Sequence, residues 1–153
     1  MLLFKNNVII KENNMAYDTI KQYVHTYFKE RFSNICTKES ILNNKEACLI
    51  TNPINELKLR CTFNEESIGT ALYFVWENRT CAWASPELNM LDYEEDYKNL
   101  TRADQIDLSY DIFNDVLEIL KLYMLNPSIK DTEIIDKGSK VEYVDAIITI
   151  KLI

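Results

Sequence analysis

Hydrophobic spacing along this chain switches from helical steps to strand alternation, back to helical steps, and back again. That order constrains the fold more than any single motif. From Met15 to Ile35 the apolar positions Ala16, Ile20, Tyr23, Val24, Tyr27, Phe28 and Phe32 fall on one face of an amphipathic helix. Asn13 or Asn14 would cap it, and Asp18 sits in the first turn, where the helix dipole favours negative charge. The spacing then changes to two. Leu57, Leu59, Cys61 and Phe63 alternate with Lys58, Arg60 and Thr62, the pattern of a half-buried strand. Thr70 to Trp76 and Arg79 to Ala84 are apolar runs separated by Glu77-Asn78, a hairpin carrying Trp76 and Trp83 on its two arms. Glu46 to Thr51, stopped by Asn52-Pro53, reads as a further short strand ahead of them.

Helical signals return at Ser85-Pro86-Glu87, where a cap, a first-turn proline and an acid predict a short helix from Pro86 to about Leu91. Thr101-Arg102-Ala103-Asp104 has capping-box spacing with aspartate in place of glutamate, and opens a long helix from Ala103 to Leu125, ended by Asn126-Pro127. Thr132 to Asp136 and Val141 to Leu152 read as strands around the Lys137-Gly138 turn. The last is apolar on both faces, which predicts a place inside the sheet. The expected architecture is therefore α+β, a single domain over residues 15–153. A mainly antiparallel sheet of about five or six strands would carry an N-terminal helix and a long acidic amphipathic helix on one face. Residues 1–14 are expected to be a tail or an edge strand.

At 153 residues with 47% hydrophobic side chains, one core needs no covalent staple. Glycine is scarce, with only Gly69 and Gly138 present. That excludes a P-loop, a dinucleotide-binding turn and a Gly-x-Ser-x-Gly elbow, all of which need glycine backbone at fixed offsets. The four cysteines, Cys36, Cys48, Cys61 and Cys81, have irregular spacing, and one histidine is too few to complete a zinc set with them. They read as reduced thiols in apolar surroundings, which favours a cytoplasmic setting. No run is long enough for a secretory leader or a membrane span. Abundant Asn, Ile and Lys with little Gly and Arg points to an AT-rich coding bias.

The charge is −7 overall, which argues against a partner made of nucleic acid phosphate or anionic membrane. It is also localised. Glu87 to Glu118 holds ten acidic and two basic residues, a net −8, so the rest of the chain carries +1. Asp104, Asp107, Asp111, Asp115 and Glu118 fall within an arc of about 80° on the long helix. Upstream, Asp92, Glu94, Glu95 and Asp96 are interleaved with Tyr93 and Tyr97, and Tyr110 lies beside the stripe. Like charges at i,i+4 destabilise a helix by a few tenths of a kcal/mol per pair. A solvated face kept acidic for solubility is the plain explanation. An interface for a cationic protein is the functional one, because acidic surfaces speed encounter and select partners, and tyrosines anchor interfaces.

The expected site is therefore a partner-binding surface made of Asp92, Glu94, Glu95, Asp96, Tyr97, Asp104, Asp107, Tyr110, Asp111, Asp115 and Glu118. No catalytic residue, metal ligand or cofactor is assigned. The expected partner is a basic protein such as a toxin domain, and the chain is expected to be a monomer or a weak dimer. The concrete form of this reading is an immunity protein or antitoxin covering a cationic cleft, such as that of a nuclease. Its alternatives are a phage-type mimic of nucleic-acid phosphates, a small enzyme with a carboxylate- or His25-based cleft, and a structural subunit pairing through a strand edge. His25, the only histidine, falls at the boundary between the apolar face and solvent.

Overall fold

Ile20, Val24, Phe28 and Phe32 recur every four residues along the first helix and are all buried, Val24 and both phenylalanines completely. Removing each such side chain from water contributes about 1.5–3 kcal/mol, which fixes the helix by one face. The computed structural model describes the backbone of residues 2–51 and 53–152 and the side chains of 16–51 and 53–151. The helix is α1 (Leu2–Ile35). The readings of residues 1–14 as a tail or edge strand, and of Asn13 or Asn14 as a cap, fall outside the described side chains.

Helix α2 (Lys38–Ala47) follows, and it corrects the expected strand over Glu46–Thr51. Thr37 caps its start by accepting from the Ser40 amide, Glu39 lies in its first turn, and Ile41 is buried. The chain leaves α2 through Leu49, which has a left-handed φ of 55°. The Ile50 amide reaches back to the Lys45 carbonyl and the Leu49 amide to that of Glu46, at 2.9 and 3.0 Å. These two bonds form a Schellman close, with leucine where glycine is usual. The apolar run is thus a helix end followed by a loop that buries Ile50 and Ile54.

Strands β1 (Glu56–Phe63), β2 (Ser67–Trp76) and β3 (Arg79–Ala84) lie where alternation places them. Glu77 and Asn78 both have positive φ, 46° and 62°, so the β2–β3 hairpin closes on a two-residue turn whose twist matches the strands. The short helix expected from Pro86 is instead strand β4 (Glu87–Asn89), paired with β2 through Ile68 and Leu88. The Pro86 carbonyl accepts both the Thr70 amide and the Thr70 hydroxyl, at 3.0 and 2.6 Å. These cross-strand bonds and the burial of Leu88 outweigh the local helix-start propensity. A 3₁₀ turn (Leu91–Tyr93) and helix α3 (Glu94–Lys98) come next.

Helix α4 (Arg102–Leu120) starts at the predicted capping box, with both reciprocal Thr101–Asp104 bonds formed. It ends five residues before the predicted limit, because Met124 is already buried in strand β5 (Met124–Lys137) opposite Leu152. Asn126, with φ 52°, makes an irregularity inside β5 together with Pro127. Gly138, with φ 67°, turns the chain into β6 (Lys140–Leu152).

The sheet has the order β3-β2-β1-β6-β5, every pairing is antiparallel, and β4 extends the β3 edge alongside β2. Strand β6 has neighbours on both sides, as its two apolar faces predict. Leu57, Leu59 and Cys61 of β1, Ile68, Leu72 and Phe74 of β2, and Val144, Ala146 and Ile148 of β6 face the helices and are buried. They meet Leu108, Ile112, Phe113 and Val116 of α4 and the buried face of α1 in one core. The fold is α+β, with one antiparallel sheet and helices packed on it. On the opposite side of the sheet Asp145, 4% exposed, takes a bidentate bond from Arg60 at 2.6 and 2.8 Å. Lys58 lies 3.3 Å from the same carboxylate.

Candidate functional site

Helices α1 and α4 lie side by side and run parallel, so residues four apart on one meet residues four apart on the other. Tyr17 donates to Asp107, Lys21 lies 3.1 Å from Asp107 and 3.3 Å from Asp111, and His25 Nδ1 lies 2.8 Å from Asp115 Oδ2. The acidic arc of α4 therefore faces a ladder of Tyr17, Lys21 and His25 on α1. Each contact relieves part of the i,i+4 repulsion among the aspartates.

The electrostatics follow this pairing. Tyr17's hydrogen bond, then Lys21's bond and charge, hold Asp107 below the usual carboxylate range, against the opposing pull of burial. Burial and the same aspartate push the Tyr17 phenol far up. The hydrogen bond to Asp107 strengthens Lys21's hold on its proton. Asp115 is different. Only 8% of it is exposed, and desolvation raises its pKa even though His25 pulls the other way. A groove of about 430 Å³ runs along this seam, lined by Asp18, Lys21, Gln22, His25, Asp111, Asn114 and Asp115.

The other expected site residues fall into distinct surroundings. Asp104 serves the capping box. Glu118 pairs with Lys121, and Glu94 with Lys98, each at 2.7 Å on the surface. Tyr97 is 6% exposed, and its hydroxyl donates to the Asn64 and Ser67 carbonyls at 2.6 and 2.8 Å, tying α3 to the β1–β2 turn. Tyr110 packs edge-on against Phe113 beside the core. Asp92, Glu95 and Asp96 are exposed, and no ion pair among the described residues involves them.

Two tyrosines that the acidic count alone does not select stand near the first of those carboxylates, Tyr93 next to Asp92 in the chain and Tyr23 within reach of its charge. Tyr93 leans on Tyr23 of α1 with ring centroids 4.6 Å apart, and the Tyr23 hydroxyl donates to the Asn89 carbonyl. Together with Asp18, Gln22 and Thr26 the pair lines a shallow groove of about 470 Å³. The ladder partners were available in the sequence as the i,i+4 series Tyr17, Lys21, His25, matching the spacing of Asp107, Asp111 and Asp115.

Among the described residues, no group of three or more His, Cys, Asp or Glu side chains could hold a metal ion. No described helix is long and apolar enough to cross a membrane. No protein-family model, no curated protein and no solved structure matches the chain.

Proposed function

We propose that this chain acts by binding a cationic protein, and that the contact is centred on Asp92, Glu95 and Asp96 with the Tyr23–Tyr93 pair at its shoulder. One observation carries the reading: within the acidic segment these three carboxylates are exposed and lack an internal cation, while the α4 aspartates are engaged by α1 or by the helix cap. Unneutralised charge beside half-buried tyrosines is the chemistry of a steering surface with aromatic anchors. The concrete form is an inhibitor of the immunity or antitoxin kind, acting in the cytoplasm of a bacterium and covering the basic cleft of a toxin such as a nuclease.

The placement of the seam decides the experiment. Charge reversal on α4 would also break its contacts with α1 and lower stability, so the clean variant is Asp92→Lys/Glu95→Lys/Asp96→Lys. Its binding to a basic toxin domain, followed by calorimetry at low and high salt, is expected to be weaker than that of wild type by about 100-fold or more. Its melting temperature should stay near wild type. Binding that survives both the reversal and added salt overturns the reading.

A second reading, general acid–base chemistry at His25, is favoured by the His25–Asp115 pair, since a carboxylate at Nδ1 orients an imidazole and leaves Nε2 for a substrate. Among the described residues lining its groove there is no serine, threonine or cysteine, so the imidazole would act on water or on a substrate group rather than on a hydroxyl or thiol of the protein. The two readings separate on their controls: association at Asp92, Glu95 and Asp96 responds to ionic strength, whereas catalysis at His25 follows pH and is lost in His25→Gln.

A further inference from the structure

Helix α2 lies antiparallel to the edge strand β3 and is fastened to it at both ends. Near its start Trp83 Nε1 donates to Ser40 Oγ at 3.0 Å, and just past its end Arg79 Nη2 donates to the Cys48 carbonyl at 3.2 Å. Cys81 is opposite Phe74, which is fully buried on the helical side of the sheet, so the Cys81 side chain turns toward α2. That brings it toward Cys48, whose carbonyl is held by Arg79 two residues along the same strand, and the Cys81 sulfur is near enough to raise the Cys48 pKa. Neither is sealed in the core as Cys36 and Cys61 are; both are half-buried at the rim. Arg79, stacked over Trp76 at 4.4 Å, places a positive charge beside them. Burial and the Cys81 sulfur raise the Cys48 pKa and the Arg79 charge offsets only part of that, so the thiolate that reacts with disulfides forms more readily as pH rises.

We propose that Cys48 and Cys81 are a redox-active dithiol that a small-molecule disulfide such as oxidised glutathione converts to an intramolecular bridge, stapling the end of α2 to the sheet edge. One protein thiol loses its proton and its sulfur attacks the glutathione disulfide. That S–S bond breaks, one glutathione leaves as thiolate and takes up a proton, and a mixed disulfide remains. The second protein thiolate then attacks the protein sulfur of that mixed disulfide. The Cys48–Cys81 bond forms, and the second glutathione leaves and is protonated. Two electrons pass from the protein thiols to glutathione disulfide, and the reverse exchange restores the dithiol. The bridge would close a long loop containing all of β1 and β2, restricting the unfolded chain far more than the folded one.

The experiment equilibrates the folded full-length chain across a series of glutathione redox buffers, quenches with an alkylating reagent and maps the peptides by mass spectrometry. The expected result is concerted loss of alkylation at Cys48 and Cys81, a single peptide pair linked between them, and reversal by dithiothreitol. The oxidised form should melt at a higher temperature. Cys48→Ser and Cys81→Ser should each give only a glutathione adduct on the remaining partner, with no internal link. Independent glutathione adducts at both positions of the wild type, a link involving Cys36 or Cys61, or thiols that stay reduced in fully oxidised glutathione would each overturn the proposal.

Discussion

His25 Nδ1 and Asp115 Oδ2 lie 2.8 Å apart across the α1–α4 seam, with the imidazole part-exposed and the carboxylate almost wholly covered. Burial raises the Asp115 pKa above its ordinary value, and the His25 bond offsets only part of that. The folded state therefore holds the Asp115 proton more tightly than the unfolded chain does. Its contribution to stability is fully present below the unfolded carboxylate pKa and is lost as pH rises through the raised folded value. Asp115→Asn has no such titration. Measured by urea unfolding from pH 7 down to pH 4, wild type should gain stability relative to Asp115→Asn. Parallel curves would show that the carboxylate pays no desolvation penalty.

Asp107 shares the same seam but has the opposite character, since Tyr17 and Lys21 stabilise its charged form. Half of its side chain is exposed, so solvent screening limits the gain. Asp107→Lys would lose both contacts and set two lysines against each other, at a cost of about 1 kcal/mol. The reversal at Asp92, Glu95 and Asp96 should cost no more than about 0.5 kcal/mol. Chemical denaturation of the two variants under one buffer compares them. Equal losses would mean that the α4 acids are no more engaged than the free ones, and the division of the acidic surface would fall.

The readable parts of this fold are those where local pattern and tertiary environment agree. Leu57, Leu59 and Cys61 alternate because one face of β1 is buried and the other carries Lys58 and Arg60, and Thr101 caps α4 within its own turn. Sequence reasoning failed where a distant partner decided the outcome. Ser85-Pro86-Glu87 has every local mark of a helix start, but Thr70, sixteen residues earlier, takes the Pro86 carbonyl. Glu46–Thr51 looks apolar enough for a strand, but its backbone bonds return to Lys45 and Glu46. The acidic stripe is the same kind of case. Its arc on α4 was visible from spacing, while its occupation by Tyr17, Lys21 and His25 depends on two helices about ninety residues apart lying parallel.

Leu49 offers a direct check on the close of α2. Its φ of 55° places a branched side chain in the left-handed region, where Cβ crowds the backbone, and 74% of the residue is exposed, so little packing compensates. Leu49→Gly should stabilise the protein by about 0.5–1 kcal/mol, the relieved strain exceeding glycine's greater freedom in the unfolded chain. A shift of the urea midpoint to higher concentration with an unchanged slope is the expected result. A lower midpoint would mean that the leucine makes contacts that outweigh its backbone strain.

On the far side of the sheet, Asp145 tests how a charge is kept under cover on the face turned away from α4 and the core. Arg60 bonds it twice and also lies over the Tyr143 ring at 3.8 Å, so the guanidinium roofs the carboxylate as well as neutralising it. Arg60→Met keeps the aliphatic cover and removes the charge, leaving Lys58 at 3.3 Å as the remaining counter-ion. Breaking one side of a buried pair costs about 3–5 kcal/mol when nothing replaces it, and with Lys58 in place the loss should be about 2–3 kcal/mol. Replacing both partners, as Arg60→Met/Asp145→Leu, removes the stranded charge and should recover most of that loss. Equilibrium unfolding of the two variants decides it: a double variant less stable than the single one would show that the pair contributes more than its own desolvation costs.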